Sequence, residues 1–241
     1  MGCFRRSLDA DRYARYFTAN GFTLAGAPAQ ADYILFVTCA FMKRREDYVL
    51  QRIEELRRHK GKLIIGGCMK AINEVRLAQN FQGPSFAASD QGYLDTLFPD
   101  FKIKFKDTPD ANFLFKYNIF QLIKHYLSTI RLDLSYLKSL KYAAMRLDRK
   151  YYYVRICWGC PGPFCTYCSI WRAVGKLRSK PHALCMEEFR KGLAKGYRHF
   201  VVSADNVGAY GLDTGSTFPS MLAGFIEVPG KYEIEIEELH P

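Results

Sequence analysis

Apolar positions in the first hundred residues follow two alternating rhythms. From Asp9 to Asn20 they fall at helical spacing, with Tyr13, Tyr16 and Phe17 on one face and Gly21 ending the segment, which predicts a helix. Tyr33-Ile34-Leu35-Phe36-Val37 is a short unbroken apolar run, the pattern of a strand buried on both faces. Lys43 to His59 returns to helical spacing, with Val49, Ile53 and Leu56 as its stripe, and Lys62-Leu63-Ile64-Ile65 is a second buried run. Asp95-Thr96-Leu97-Phe98 closes a later short helix. Strand, helix, strand in that order predicts an α/β fold built on a doubly wound parallel sheet.

The pattern changes over 107–150. Phe113, Phe115, Tyr117, Phe120, Leu122, Ile123, Tyr126, Leu127 and Ile130 are interleaved with Lys116, Lys124 and Arg131, which predicts one or two basic amphipathic helices. From Tyr151 a second unit starts. Tyr152 to Ile156 is a strand, Met186 to Lys195 a helix, His199 to Val202 a strand, Phe218 to Ile226 a helix and Tyr232 to Leu239 a strand. This βαβαβ order is the repeat of a parallel barrel, whose ligand sites lie at the carboxyl ends of strands. The expected division is therefore 1–106, an α/β domain; 107–150, a basic helical connector; and 151–241, the first part of a partial (βα) barrel.

Composition adds little to the fold but locates the charge. The 241 residues carry a formal net charge of +11. Residues 151–241 hold 10 Lys/Arg against 9 Asp/Glu, whereas 101–150 alone hold 11 against 4 Asp. A basic face attracts polyanions. A connector packed on the core with its charges in water is the blander reading, and a membrane-surface helix is a third. No run of about 18 apolar residues suggests a membrane span. The first residues, Met1-Gly2-Cys3-Phe4-Arg5-Arg6, show no apolar signal segment, so a cytoplasmic protein in a reducing compartment is expected.

In that setting the eight cysteines point to metal or redox chemistry rather than a disulfide framework. Cys160, Cys165 and Cys168 lie on one Pro- and Gly-rich turn, Cys160-Pro161-Gly162-Pro163-Phe164-Cys165-Thr166-Tyr167-Cys168. Three soft ligands suit an iron–sulfur cluster or zinc and leave one coordination position free of the motif. Against zinc stands the lack of paired C-x-x-C elements and of a closed four-ligand set. Cys39 and Cys68 follow the two apolar strands, and Cys3 stands where a strand before the first helix would end. Any one alone is most simply a small buried hydrophobe. Three at equivalent strand ends form a second candidate Cys₃ site, at the sheet edge where such folds bind ligands. Cys185 has no motif around it and is expected in the core.

With these residues assembled, the chain resembles the radical S-adenosylmethionine methylthiotransferases. The resemblance is carried by Gly159-Cys160, by Cys165-Thr166-Tyr167-Cys168-Ser169-Ile170 and by Gly175-Lys176-Leu177-Arg178-Ser179-Lys180-Pro181. Gly2-Cys3, Ala31-Asp32 with Thr38-Cys39-Ala40-Phe41, and Gly67-Cys68 resemble that family's three-cysteine domain. The loop from Ser203 to Gly215 is most similar to the branch that modifies threonylcarbamoyl-adenosine beside the tRNA anticodon.

The resemblance implies two [4Fe–4S] clusters and S-adenosylmethionine as cofactors. Cys160, Cys165 and Cys168 would hold the radical cluster, whose fourth iron chelates S-adenosylmethionine, and Cys3, Cys39 and Cys68 the auxiliary cluster that delivers sulfur. A 5′-deoxyadenosyl radical would open a C–H bond, and a methylthio group would be placed at C2 of N6-threonylcarbamoyladenosine. Ser203, Asp205 and Tyr210 would help bind cofactor or substrate. Tyr167 would pack on the adenine, simple loop packing being the alternative. The implied partners are tRNA as substrate and an electron donor such as a flavodoxin or ferredoxin, with no membrane and a monomeric chain. A ribosomal protein side chain is the alternative substrate, and a non-catalytic metal- or RNA-binding fragment the alternative role.

The chain departs from the family pattern in several places. Four residues separate Cys160 from Cys165 where the family has three, and Cys157 offers a second nearby thiol, although Gly159 favours Cys160. An Asn common after the first cysteine is absent from Phe4-Arg5-Arg6-Ser7, and Val37 stands where Asn often precedes Thr-Cys. The strand expected before Cys3 is missing, and the barrel stops about halfway, at Leu239-His240-Pro241, which predicts a fragment or a degenerate homologue.

Overall fold

The apolar runs become strands, and the amphipathic stretches among the described residues pack on them. A computed structural model describes residues 3–113, 151–162 and 165–239. The predicted connector helices over 114–150 lie outside the described residues, as do Pro163 and Phe164. In the first unit α1 (Phe4–Ala19) leads to β1 (Tyr33–Thr38), α2 (Lys43–Leu56) and β2 (Lys62–Gly67). Then come α3 (Met69–Ile72), α4 (Glu74–Asn80), β3 (Ser85–Ala87) and α5 (Tyr93–Leu97). The strands form a parallel sheet in the order β1-β2-β3.

Alternation along β2 explains why both faces need helices. Leu63 and Ile65 pack with Val49, Ile53 and Leu56 of α2 and Leu77 of α4, whereas Ile64 packs with Tyr13 and Tyr16 of α1 and with Leu94 next to Phe98. Both faces are thus covered, as a doubly wound sheet requires, although the described strands run in order without a reversal point.

The second unit holds β4 (Tyr151–Arg155), β5 (Cys157–Trp158), α6 (Ile170–Val174), β6 (Arg178–Ser179) and α7 (His182–Ala194). It continues with β7 (His199–Ser203), α8 (Phe218–Ile226) and β8 (Glu233–Ile236). Strands β4, β7 and β8 form a parallel sheet in that order, and β5 and β6 a small antiparallel pair. The βαβαβ expectation is met, and Cys185 lies in the core with Phe189, Phe200, Met221 and Phe225.

Two expected helix starts need correction: α7 begins at His182 rather than Met186, and α1 begins early as well. Helix α1 starts at Phe4, not Asp9. The polar run Phe4-Arg5-Arg6-Ser7 gives no apolar stripe, yet Arg5, Arg6 and Asp9 are buried there because they pair with one another and with the second unit. The helix also bridges the two sheets. Tyr13 and Tyr16 pack on the first, while Leu8 packs on Tyr153 and Val201 of the second, and the Phe4 ring stacks on Tyr153 at 5.9 Å.

Asp9 is the hub of this seam. Its Oδ1 accepts from Arg155 Nη1 at 2.6 Å, and its Oδ2 lies 2.9 Å from Arg6 Nη1, an ion pair without hydrogen-bond alignment. Burial alone would raise the Asp9 carboxyl; the Arg6 and Arg155 guanidiniums reverse that and hold it below its ordinary value. Asp110, half-buried against Lys180 and Arg12, is lowered in the same way. Groups with depressed folded values stabilise fully above the ordinary carboxylate value of 3.8, and that contribution is lost as pH falls from there through their lowered values. Asp9→Asn should therefore cost about 3–5 kcal/mol in urea unfolding at neutral pH, because it strands two buried cations. The deficit relative to wild type should shrink in acid.

Candidate metal and cofactor site

The parallel register between β1 and β2 places two cysteines at one sheet edge. Thr38 pairs with Gly67, so Cys39 and Cys68 follow neighbouring strand ends. Cys68 N–H donates to Thr38 O at 3.1 Å, and Thr38 Oγ1 donates to Gly66 O and accepts from Met69 N–H. Gly67 has φ 105°, and a Cβ there would stand 2.5 Å from Thr38 O, so only glycine lets the strand ends close this far. Cys3 stands directly before α1. The Cys68 thiol lies within electrostatic reach of Cys3, Cys39 and Arg6, and burial pushes it up to about 12. The three predicted cysteines thus share one neighbourhood.

The loop cysteines are set by a different device. Strand β5 pairs with β6, and the chain then turns at Gly159 with φ 82°. Cys160 N–H donates to Gly175 O at 3.0 Å and Leu177 N–H to Cys160 O at 3.1 Å, so both ends of the loop are clamped at its base. Cys160 Sγ lies 3.4 Å from Gly162 O, Cys168 N–H donates to Cys165 O at 3.2 Å, and Cys165 is exposed. Cys157 is fully buried beneath, its Sγ on Asn206 O at 3.4 Å and its thiol pushed up to about 12 by burial.

The two sites adjoin. Helix α3, which follows Cys68, packs against α6, which follows Cys168. Ala173 of α6 lies in the same core as Ala40, Cys68 and Met69. Asp205 ties the seam from a third direction: its Oδ2 accepts from Gly159 N–H at 2.9 Å, and its Oδ1 faces Arg5 at 3.6 Å and Arg6 at 3.5 Å.

The other predicted residues fall in unequal places. Ser203 Oγ is buried without a hydrogen-bond partner among the described residues, and so is Asn206 Oδ1, which the sequence did not single out. Each such atom costs about 1–3 kcal/mol unless a ligand or water meets it. Tyr210 is buried with its hydroxyl donating to Lys180 O at 3.0 Å, which fastens its loop to β6 rather than offering a polar end to solvent. Tyr167 is 90% exposed and stands beside Cys165, whose nearby thiol raises its phenol.

The donor chemistry fits sulfur-ligated metal: two sets of three thiols, one of them near the Arg6 guanidinium. As placed, no three His, Cys, Asp or Glu side chains among the described residues converge enough to grip a metal ion.

Comparison with known proteins bears on which reading holds. Residues 1–87 match the family described as "Uncharacterized protein family UPF0004". Over 244 residues the chain is 27% identical to the "Probable threonylcarbamoyladenosine tRNA methylthiotransferase" of Methanothermobacter thermautotrophicus, covering all of this chain and 52% of that protein. The "tRNA-2-methylthio-N(6)-dimethylallyladenosine synthase" of Thermotoga petrophila is 27% identical over 97% of this chain and 48% of its own length. The "Ribosomal protein uS12 methylthiotransferase RimO" of Chlamydia felis is 26% identical over 100% and 49%. Over its whole length the chain is similar to proteins named as methylthiotransferases. It spans about half the length of the curated relatives it matches. No helix among the described residues is long and apolar enough to cross a membrane.

Proposed function

We propose that the chain carries the cluster-binding parts of a radical S-adenosylmethionine methylthiotransferase acting on tRNA, at C2 of N6-threonylcarbamoyladenosine. The observation that carries this reading is the joining of the two cysteine sites: α3 packs on α6, and Asp205 links Gly159 to the arginines beside Cys3 and Cys68. Cys160, Cys165 and Cys168 would hold one [4Fe–4S] cluster, and Cys3, Cys39 and Cys68 the other. When bound, the first supplies, with S-adenosylmethionine, a radical able to open a C–H bond, and the second supplies sulfur.

The protein's own part is placement. The clamp at Gly159 and Cys160 sets the height of the loop, and its exposed Cys165 and Tyr167 face incoming cofactor or substrate. Ser203 and Asn206 offer unspent polar atoms next to Asp205. Tyr210 acts indirectly, by fixing the loop that bears them. A flavodoxin or ferredoxin would supply electrons, the cytoplasm is the expected compartment, and one chain suffices for both sites. The ribosomal-protein substrate is a second reading, motivated by the alignment of the whole chain to 49% of the Chlamydia felis protein.

Anaerobic reconstitution with iron and sulfide tests the proposal. About eight irons per chain are expected, four for each cluster, with S-adenosylmethionine cleaved to 5′-deoxyadenosine under dithionite. Binding of tRNA carrying threonylcarbamoyladenosine, against unmodified tRNA and against uS12, then separates the substrates. Tight zinc binding with no iron uptake would overturn the enzyme reading.

A further inference from the structure

The rim of the cysteine edge carries cations that no carboxylate nearby in sequence answers. No Asp or Glu occurs from Tyr33 to Arg45, nor from Ile156 to Met186. The first stretch ends in Phe41-Met42-Lys43-Arg44, four exposed residues that follow Cys39 and Ala40, with the Phe41 ring 65% exposed. The acids that come next are engaged elsewhere: Glu46 accepts from Asn73 Nδ2 at 3.0 Å and from Arg76 Nη1 at 2.8 Å, and Asp47 pairs with Arg76. Lys43 and Arg44 open α2, at the end of a helix where the dipole disfavours cations, so local stability does not account for them.

The second stretch adds Arg172, Lys176 and Arg178, all exposed. None of these cations has a carboxylate partner among the described residues. The Arg172 guanidinium lies over the Trp171 ring at 5.3 Å. Printed contacts hold the two stretches to one body. Ala40 and Ala173 lie in the same buried cluster, α3 packs on α6, and Ser89 N–H, just past β3, donates to Ala173 O at 2.9 Å.

A partner for this surface is anionic and brings a flat apolar face for the exposed ring. Single-stranded RNA has both, phosphates for the cations and unstacked bases for Phe41. Duplex RNA has only the phosphates to offer, because its bases are stacked inside the helix. A membrane surface would require a long apolar stripe, and the exposed apolar part of this stretch is Phe41 and Met42 alone. We infer that Phe41, Lys43, Arg44, Arg172, Lys176 and Arg178 form a surface for single-stranded RNA, with one base stacked on Phe41 and the cations on neighbouring phosphates. This rests on the tRNA reading of the substrate and names the surface that takes it. It requires no metal at either set of cysteines.

The test is fluorescence anisotropy on the full chain, with a labelled single-stranded RNA of about 12 nucleotides and the duplex of the same sequence. Phe41→Ala should weaken single-strand binding about tenfold and leave duplex binding unchanged. Phe41→Trp, which keeps the aromatic plane, should bind like the parent. Lys43→Gln and Arg172→Gln should weaken both RNAs, and each should flatten the salt dependence of single-strand binding by about 0.7 in the log–log slope. Equal loss on both RNAs in Phe41→Ala overturns the inference, as does no loss, or a salt slope unmoved by the glutamine variants. Should Phe41→Ala fail to fold by circular dichroism, Phe41→Leu decides by the same contrast, since it keeps apolar bulk and loses the ring. RNA binding by the parent chain that none of these variants alters overturns the inference alone. A parent chain that holds uS12 and no RNA overturns the tRNA reading and this inference with it.

Discussion

Cys160→Ala should remove about four irons per reconstituted chain, one whole cluster, whereas Cys157→Ala should remove none. The two thiols are three residues apart, and spacing alone leaves either as the first ligand of the loop. Their surroundings separate them. Cys157 lies in strand β5, opposite Ser179, with its Sγ turned to Asn206 O inside the core of the second unit. A thiol that buried, with its pKa pushed up to about 12, is a small core side chain. Cys160 comes after the Gly159 turn, on the loop side, and is partly exposed. Iron analysis together with S-adenosylmethionine cleavage reads the difference: both should be lost in Cys160→Ala. Cys157→Ala should retain its iron and lose about 1 kcal/mol of stability in urea. The reverse iron pattern would move the ligand assignment to Cys157.

Gly159→Ala is expected to empty the same loop without touching a cysteine. At φ 82° an alanine pays about 1–2 kcal/mol for a left-handed conformation. Its Cβ would also stand 2.1 Å from Lys176 O, which no side-chain adjustment relieves because the obstacle is backbone. The clamp formed by Cys160 N–H to Gly175 O and Leu177 N–H to Cys160 O must open, and Gly159 N–H must leave Asp205. A total loss above about 2 kcal/mol is expected once one or two hydrogen bonds go as well. Half the iron should go with it, from the loop site, while the strand-end site keeps its own. A variant with full iron and an unchanged melting temperature would show that the loop holds its ligands without this clamp.

How much of this was legible in the sequence depends on the kind of residue. The central strand announced itself, since Leu63 to Gly67 is buried as its apolar run predicts, whereas Tyr33–Thr38 was expected to be buried and is instead an edge strand of the described sheet, with Tyr33 exposed and only Ile34 and Thr38 buried. The strand-end cysteines were legible for the same reason, since their positions follow from the strands. The first turns of α1 were not. Arg5, Arg6 and Asp9 look like a solvated segment until Asp205 and Arg155, far along the chain, are seen to neutralise them. Short strands such as Cys157–Trp158 and Arg178–Ser179 carry too few residues to show a period and are fixed by loop closure instead. Asn206 escaped notice because nothing in its neighbours marks an amide whose oxygen lacks a partner.

Helix α1 also has a consequence for synthesis. It is made before its partner, since Asp9 meets Arg155 across 146 residues of chain. At translation rates of about 5–20 residues per second, that partner arrives roughly 7–30 s later. Through that interval the helix face destined for burial is wet. Had it been lined with leucines, it would be a sticky surface on every nascent chain. Lined with Arg5, Arg6 and Asp9 beside Phe4 and Leu8, it is a charged face rather than a purely apolar one for as long as the second sheet is still to be made.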